Sequence, residues 1–156
     1  MFELGPKARL LFVLLFLGLQ LGLIFTAELR PDRTFAFRMF NESSSLKFEL
    51  YREVKARRGR RRVPIPDGNW QARTPAGGVA EFHWTDRVRY GSLMRPSLFV
   101  HAPYGLDAQL FRLQKALDDV AAHIPEDSET LALIAVVDTL KNGRDAGRVT
   151  MRGAKR

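Results

Sequence analysis

The sequence predicts an α+β fold: a single transmembrane helix, then a mostly antiparallel sheet with one long amphipathic helix packed on it. Three observations carry this. Residues Leu10 to Ala27 read LLFVLLFLGLQLGLIFTA, with no charge and only Gln20 strongly polar. Several later stretches alternate apolar and polar residues at the period of two that a half-buried strand requires. The stretch from about Gly105 to Ile124 instead repeats Leu106, Leu110, Leu113, Leu117, Val120 and Ile124 at spacings of three and four, the period of a helix with one apolar face.

The apolar run comes first in the chain. Residues 1–9 flank it, 10–27 form the helix, 28–33 link it, and 34–156 make a soluble domain of roughly 125 residues, enough for one core. At 1.5 Å per residue the run spans about 27 Å, close to the ~30 Å hydrocarbon thickness. A cleaved signal peptide is the competing assignment. Its apolar region is ordinarily about 7–15 residues, and Phe25 stands where the cleavage pattern wants a small residue. An uncleaved signal anchor, single-pass, is therefore expected. Lys7 and Arg9 precede the helix and Arg30, Arg33 and Arg38 follow it, which slightly favours a cytoplasmic domain. Domains well beyond about 60 residues cross largely regardless of charge, however, and a short leading stub commonly stays inside. The expectation is a domain outside the cytoplasm, periplasmic or extracellular. Gly18 and Gly22 are four apart, a spacing that permits close helix contact, and the Gln20 amide seeks a hydrogen-bond partner in hydrocarbon. These three are candidate contacts to another membrane helix, with a plain lipid-facing anchor as the alternative.

After a break at Pro31 and Asp32, Thr34 to Phe40 alternates like a strand. A turn at residues 41–45 leads to Leu46 to Val54, where Leu46, Phe48 and Leu50 alternate with Lys47, Glu49 and Tyr51; the two strands suggest a hairpin. Residues 55–68 then read as a basic loop, because Pro64 and Pro66 would interrupt a ladder. Asn69 to Arg73 and Val79 to Arg89 read as two more strands, and Leu98 to Val100 as a short one. Pro103 and Gly105 open the long helix and Pro125 stops it. Leu131 to Lys141 and Arg148 to Arg152 make a hairpin around Asn142-Gly143, a strong turn signal.

Composition removes several chemistries. The chain has no cysteine, which excludes disulfides, thiolate metal sites and cysteine nucleophiles. There is no phosphate-binding glycine loop, nucleophile elbow or His-x-x-x-His. His83 and Asp86, three apart in a strand, would face opposite ways; His123 suits a helix C-terminus. The carboxylates Asp118, Asp119, Glu126, Asp127 and Glu129 lack the alternation and the glycine of a calcium loop. No cofactor or metal is expected. A loop histidine, His101, beside Tyr104 and Asp107 is the one constellation with an enzyme's ingredients.

The net charge of +8 is mostly local: Lys55, Arg57, Arg58, Arg60, Arg61 and Arg62 lie in one run, KARRGRRR. The run is a solvated loop, a contact for anionic lipid headgroups, or a dock for an acidic partner protein. Nucleic acid is disfavoured, since no aromatic residue is interleaved with the cations.

The segments Phe37-Arg38-Met39-Phe40, His101-Ala102-Pro103-Tyr104-Gly105-Leu106-Asp107-Ala108-Gln109-Leu110 and Lys141-Asn142-Gly143-Arg144 resemble stretches of small membrane-anchored bacterial proteins. These are similar to the partner modules of HTTM proteins, whose membrane domain is related to vitamin K-dependent γ-carboxylase. The resemblance implies an extracytoplasmic domain working beside a polytopic membrane protein, and it transfers no catalytic residue. The expected function is thus a non-enzymatic accessory subunit of a membrane protein complex. The alternatives are a module that binds anionic lipid or the cell envelope through the basic run, and an enzyme centred on His101, Tyr104 and Asp107.

Overall fold

The apolar run forms one continuous helix, α1 (Pro6–Ala27), in a computed structural model that describes residues 5–27, 29, 42–57, 59–88 and 94–155. It is long and apolar enough to cross a bilayer. It has no apolar stripe opposed by a polar face, and its described side chains from Pro6 to Thr26 are exposed apart from a half-buried Leu23.

The alternating segments build an antiparallel sheet. Its strands are β1 (Ser44–Ala56), β2 (Gly59–Ile65), β5 (Val100–His101), β6 (Thr130–Lys141) and β7 (Arg144–Ala154). The order is β2-β1-β6-β7, with the short β5 also paired to β1. A second, two-stranded sheet pairs β3 (Asn69–Arg73) with β4 (Val79–His83). In register, Phe48 lies opposite Val137 and Leu50 opposite Ala135, so the apolar residues of β1 and β6 share one face. Helix α3 (Leu106–Ala122) covers that face with Leu113, Leu117, Val120 and Ala121, all buried. Trp70 and Phe82 stack at 5.3 Å and join the same core, and Trp84 meets Phe48 edge-on at 6.1 Å. The fold is α+β, as its sequence patterns require.

Helix α3 is capped from a distance. Its leading residue, Gly105, takes φ 86°, which suits glycine, and offers no side-chain cap. The Leu106 N–H instead donates to Glu42 Oε1 at 2.7 Å, and Glu42 also pairs with Lys141 at 3.4 Å and accepts from Ser44 Oγ. Burial pushes the Glu42 carboxyl up, but the Ser44 and Leu106 hydrogen bonds and the Lys141 charge hold it below the usual glutamate range. Glu42→Ala is expected to lower folding stability by about 1 kcal/mol, read as a shift in the thermal unfolding midpoint of the detergent-solubilised chain. At the other end, Arg87 donates to the His123 carbonyl at 2.8 Å, where a cation suits the helix dipole. The β6–β7 turn has positive φ at both Asn142 (51°) and Gly143 (75°), the geometry of a tight type I′ hairpin.

The structure departs from the sequence expectations in three places. Lys55, Ala56 and Gly59–Ile65 are strand, not loop: β2 pairs with β1 through the basic run, with Pro64 opposite Tyr51. An edge strand tolerates proline because its outward N–H positions need no ladder partner. Pro66–Gly68, which follows β2, is a single short 3-10 turn. The strand from Val79 stops at His83, and Trp84–Arg87 makes one helical turn, α2. The buried Trp84 indole donates to the Met94 carbonyl at 2.9 Å, a tertiary anchor that overrides the alternation. Leu98 and Phe99 are exposed, and the short strand is Val100–His101. The expected strand at Thr34 to Phe40 lies outside the described residues; β1 takes β2, β5 and β6 as partners.

Candidate functional site

The sequence concentrates charge where the fold makes a two-stranded projection. Strands β1 and β2 turn at Ala56–Gly59, with Gly59 at φ 110°. Arg60 lies opposite Lys55, Arg61 opposite Val54, and Arg62 opposite Glu53. Arg58 lies outside the described residues. Strand alternation sends Arg61 and Val63 to one face and Arg60 and Arg62 to the other. A like-charge pair set directly across two strands, such as Lys55 and Arg60, opposes folding.

Only part of this charge is offset. Glu53 accepts from Arg152 at 2.8 and 3.2 Å and lies 3.6 Å from Arg60. The Arg152 hydrogen bond holds the Glu53 carboxyl below the usual glutamate range. Lys55, Arg57, Arg61 and Arg62 have no ion-pair partner among the described residues. On the Arg61 face a groove of about 580 Å³ opens between the hairpin and the segment entering β6. Cations Arg52, Lys55 and Arg61 line it together with Val54, Val63 and Leu131. Arg52 pairs with Glu129 at 3.4 Å, its side chain only 13 % exposed, and its Nε is buried without a hydrogen-bond partner.

Arg52 lies outside the basic run, so charge counting misses it. Its signal is positional. It continues the face of Leu46, Phe48 and Leu50 by one more step of two, an arginine placed on an apolar face.

A larger groove of about 870 Å³ runs between α3 and β7, lined by Arg87, Arg112, Lys115 and Arg152 among others. Those cations are already engaged. Arg87 caps α3, Arg152 holds Glu53, Arg112 stacks 4.0 Å over Tyr104, and Lys115 lies 5.1 Å over Phe111.

His101, Tyr104 and Asp107 are all exposed around the entrance of α3, and none lines either groove. His83 hydrogen-bonds Asn69 at 2.8 Å, and Asp86 lies in α2 rather than in a strand. No group of three metal-ligating side chains forms among the described residues. Asp127 is fully buried and serves the fold. It accepts from Trp70 Nε1 at 2.9 Å, from the Thr130 hydroxyl at 2.5 Å, and from the Glu129 and Thr130 N–H groups at 3.0 and 2.9 Å.

On α1, a Cβ added at Gly18 or Gly22 would meet nothing within 4 Å, and the Gln20 side chain is exposed. Helical geometry separates these features: at about 100° per residue Gln20 points roughly 160° away from both glycines. The small-residue line and the amide thus mark two sides of α1, not one surface.

No protein-family model, no curated protein and no solved structure matches this chain.

Proposed function

We propose that this chain is a non-enzymatic, single-pass membrane-anchored accessory subunit of a membrane protein complex, with its folded domain outside the cytoplasm. The observation that carries the proposal is α1. It is apolar on all sides yet bears a small-residue line and an opposed amide, and neither meets a partner among the described residues. A helix that served only as a tether has no need of an amide in hydrocarbon, where an unsatisfied polar group is costly. The resemblance of residues 101–110 and 141–144 to partner modules of HTTM proteins supplies the class of partner: a polytopic membrane protein. The exposed setting of His101, Tyr104 and Asp107, outside both grooves, weighs toward a binding role.

The absence of cysteine makes the test direct. Single cysteines are placed along α1 in the full chain, in its native membrane, and treated with a bifunctional thiol crosslinker. Crosslinks to another membrane protein are expected at Gly18 and Gly22, at Gln20, or on both lines, with the helical period of about 3.6 residues. Absence of crosslinks at every position would reject the subunit assignment. Protease added from the outer side should digest the domain; full protection would reverse the orientation.

A further inference from the structure

We infer that the groove between the β1–β2 hairpin and the segment entering β6 binds the phosphate of an anionic phospholipid headgroup, seating the domain on the membrane surface. The inference goes beyond the accessory-subunit assignment and shares with it only the membrane anchor.

Chemistry selects the ligand class. Arg52 and Arg61, from neighbouring strands, share the face on which the groove opens, and Lys55, on the other face of β1, borders it. One anion, Glu129, faces them, and it is shared between Arg52 at 3.4 Å and Arg73 at 3.7 Å. Lys55 and Arg61 are left without an internal counter-ion among the described residues, and Arg52 keeps a buried Nε donor with no acceptor. A buried unpaired donor is costly unless something fills it. A phosphate oxygen is an acceptor of the right charge, and guanidinium groups suit it well.

The groove is also half apolar. Val54, Val63, Ala56 and Leu131 contribute to its lining. A free inorganic anion gains nothing from that surface, whereas the glycerol and first acyl carbons of a phospholipid do. The volume of about 580 Å³ falls within the usual range of small-molecule sites, about 300–1,000 Å³.

Chain length permits the encounter. Sixteen residues, 28 to 43, separate the end of α1 from the start of β1. At most about 3.6 Å per residue, they hold the domain within about 58 Å of the helix end. That leash allows contact without enforcing it, because screening reduces attraction beyond a Debye length of about 8 Å. A headgroup site would convert loose tethering into a fixed seat.

The test uses the full chain with Ala56→Cys, at the end of β1, carrying an environment-sensitive fluorophore. The protein is reconstituted in nanodiscs of phosphatidylcholine alone, or of equal parts phosphatidylglycerol and phosphatidylcholine. Incorporation itself reports the anchor, so failure of the anchor and failure of the groove are distinct. With phosphatidylglycerol the label should shift to the blue and become protected from an aqueous quencher; with phosphatidylcholine alone it should not. In the same background, Lys55→Gln with Arg61→Gln should lower the seated-to-free ratio about 25-fold, about five-fold per cation. Arg57→Gln with Arg62→Gln, the same charge change outside the groove, should lower it much less. Arg52→Lys keeps the charge and removes the Nε donor, and should weaken seating while leaving the thermal midpoint of the domain in place. Equal losses from the two double variants would show diffuse charge rather than a site and overturn the inference. So would a label indifferent to phosphatidylglycerol, or one released by millimolar inorganic phosphate, which would assign the groove to a small free anion.

Discussion

Replacing Asp127 by alanine is expected to cost the domain about 3–5 kcal/mol of folding stability. The carboxylate is fully buried and gathers donors from Trp70, Glu129 and Thr130. It thereby ties the two-stranded sheet, through Trp70, to the start of β6. Alanine leaves those donors buried and unpaired, the expensive way to lose a hydrogen bond. Asn, which keeps the shape, turns an NH2 group toward donors and should lose less than alanine but more than 1 kcal/mol. Urea unfolding in mild detergent, followed by tryptophan fluorescence, measures both variants. The same carboxylate sets an acid limit. Burial pushes it up, but the hydrogen bonds from Thr130, Trp70 and the backbone outweigh this and hold it below the usual aspartate range. A carboxyl depressed in the folded state contributes its full stability above the unfolded value of about 4 and loses it as pH falls through the folded value. The native chain should therefore lose stability below about pH 4, and the Asp127→Asn variant should show a shallower slope there.

Gly153→Val should be nearly as damaging for the opposite reason, too much matter instead of too few acceptors. Gly153 lies on β7 opposite Leu133, where α3 crosses the sheet. A Cβ there would sit 2.6 Å from the Leu117 carbonyl oxygen and 3.0 Å from the Asp118 amide nitrogen. Those atoms are helix backbone and cannot swing aside as a side chain would. The helix must lift, loosening Leu113 and Leu117 in the core. Overpacking of this kind costs about 1–3 kcal/mol for a small addition, and valine should reach the upper part of that range. Gly153→Ala should fall between. The readout is again the unfolding midpoint, with unchanged far-ultraviolet dichroism showing that the helix persists while its packing loosens.

Much of the fold was legible because it rests on local periodicity. Leu46, Phe48 and Leu50 announce β1, the threes and fours from Leu106 announce α3, and Asn142-Gly143 announces the closing hairpin. What was illegible depends on neighbours distant in sequence. Pro64 argues for a loop until β2 is known to be an edge strand, where proline does no harm. Trp84 alternates correctly with Phe82 yet leaves the strand because Met94 holds its indole. The candidate site was half legible: the cations are plain in the run from Lys55 to Arg62, but Arg52 and the groove exist only once β1 and the β6 entry are brought together. Gln20 and the paired glycines were visible as residues, and helical geometry divides them between two sides.

The attachment of the domain to its leash has a mechanical consequence. Glu42, Ser43 and Ser44 are each fastened on entry: Glu42 to the start of α3, Ser43 to Asn142 by two hydrogen bonds, and the Ser44 carbonyl to the Ala102 amide. The strand they lead into is interior, laddered to β6 on one side and to β2 and β5 on the other. The chain entering at Glu42 therefore meets an interior strand bonded along both sides, not a free edge. Freeing β1 requires its ladders to β2, β5 and β6 to break together, so the start of the domain cannot come loose without the centre of the sheet.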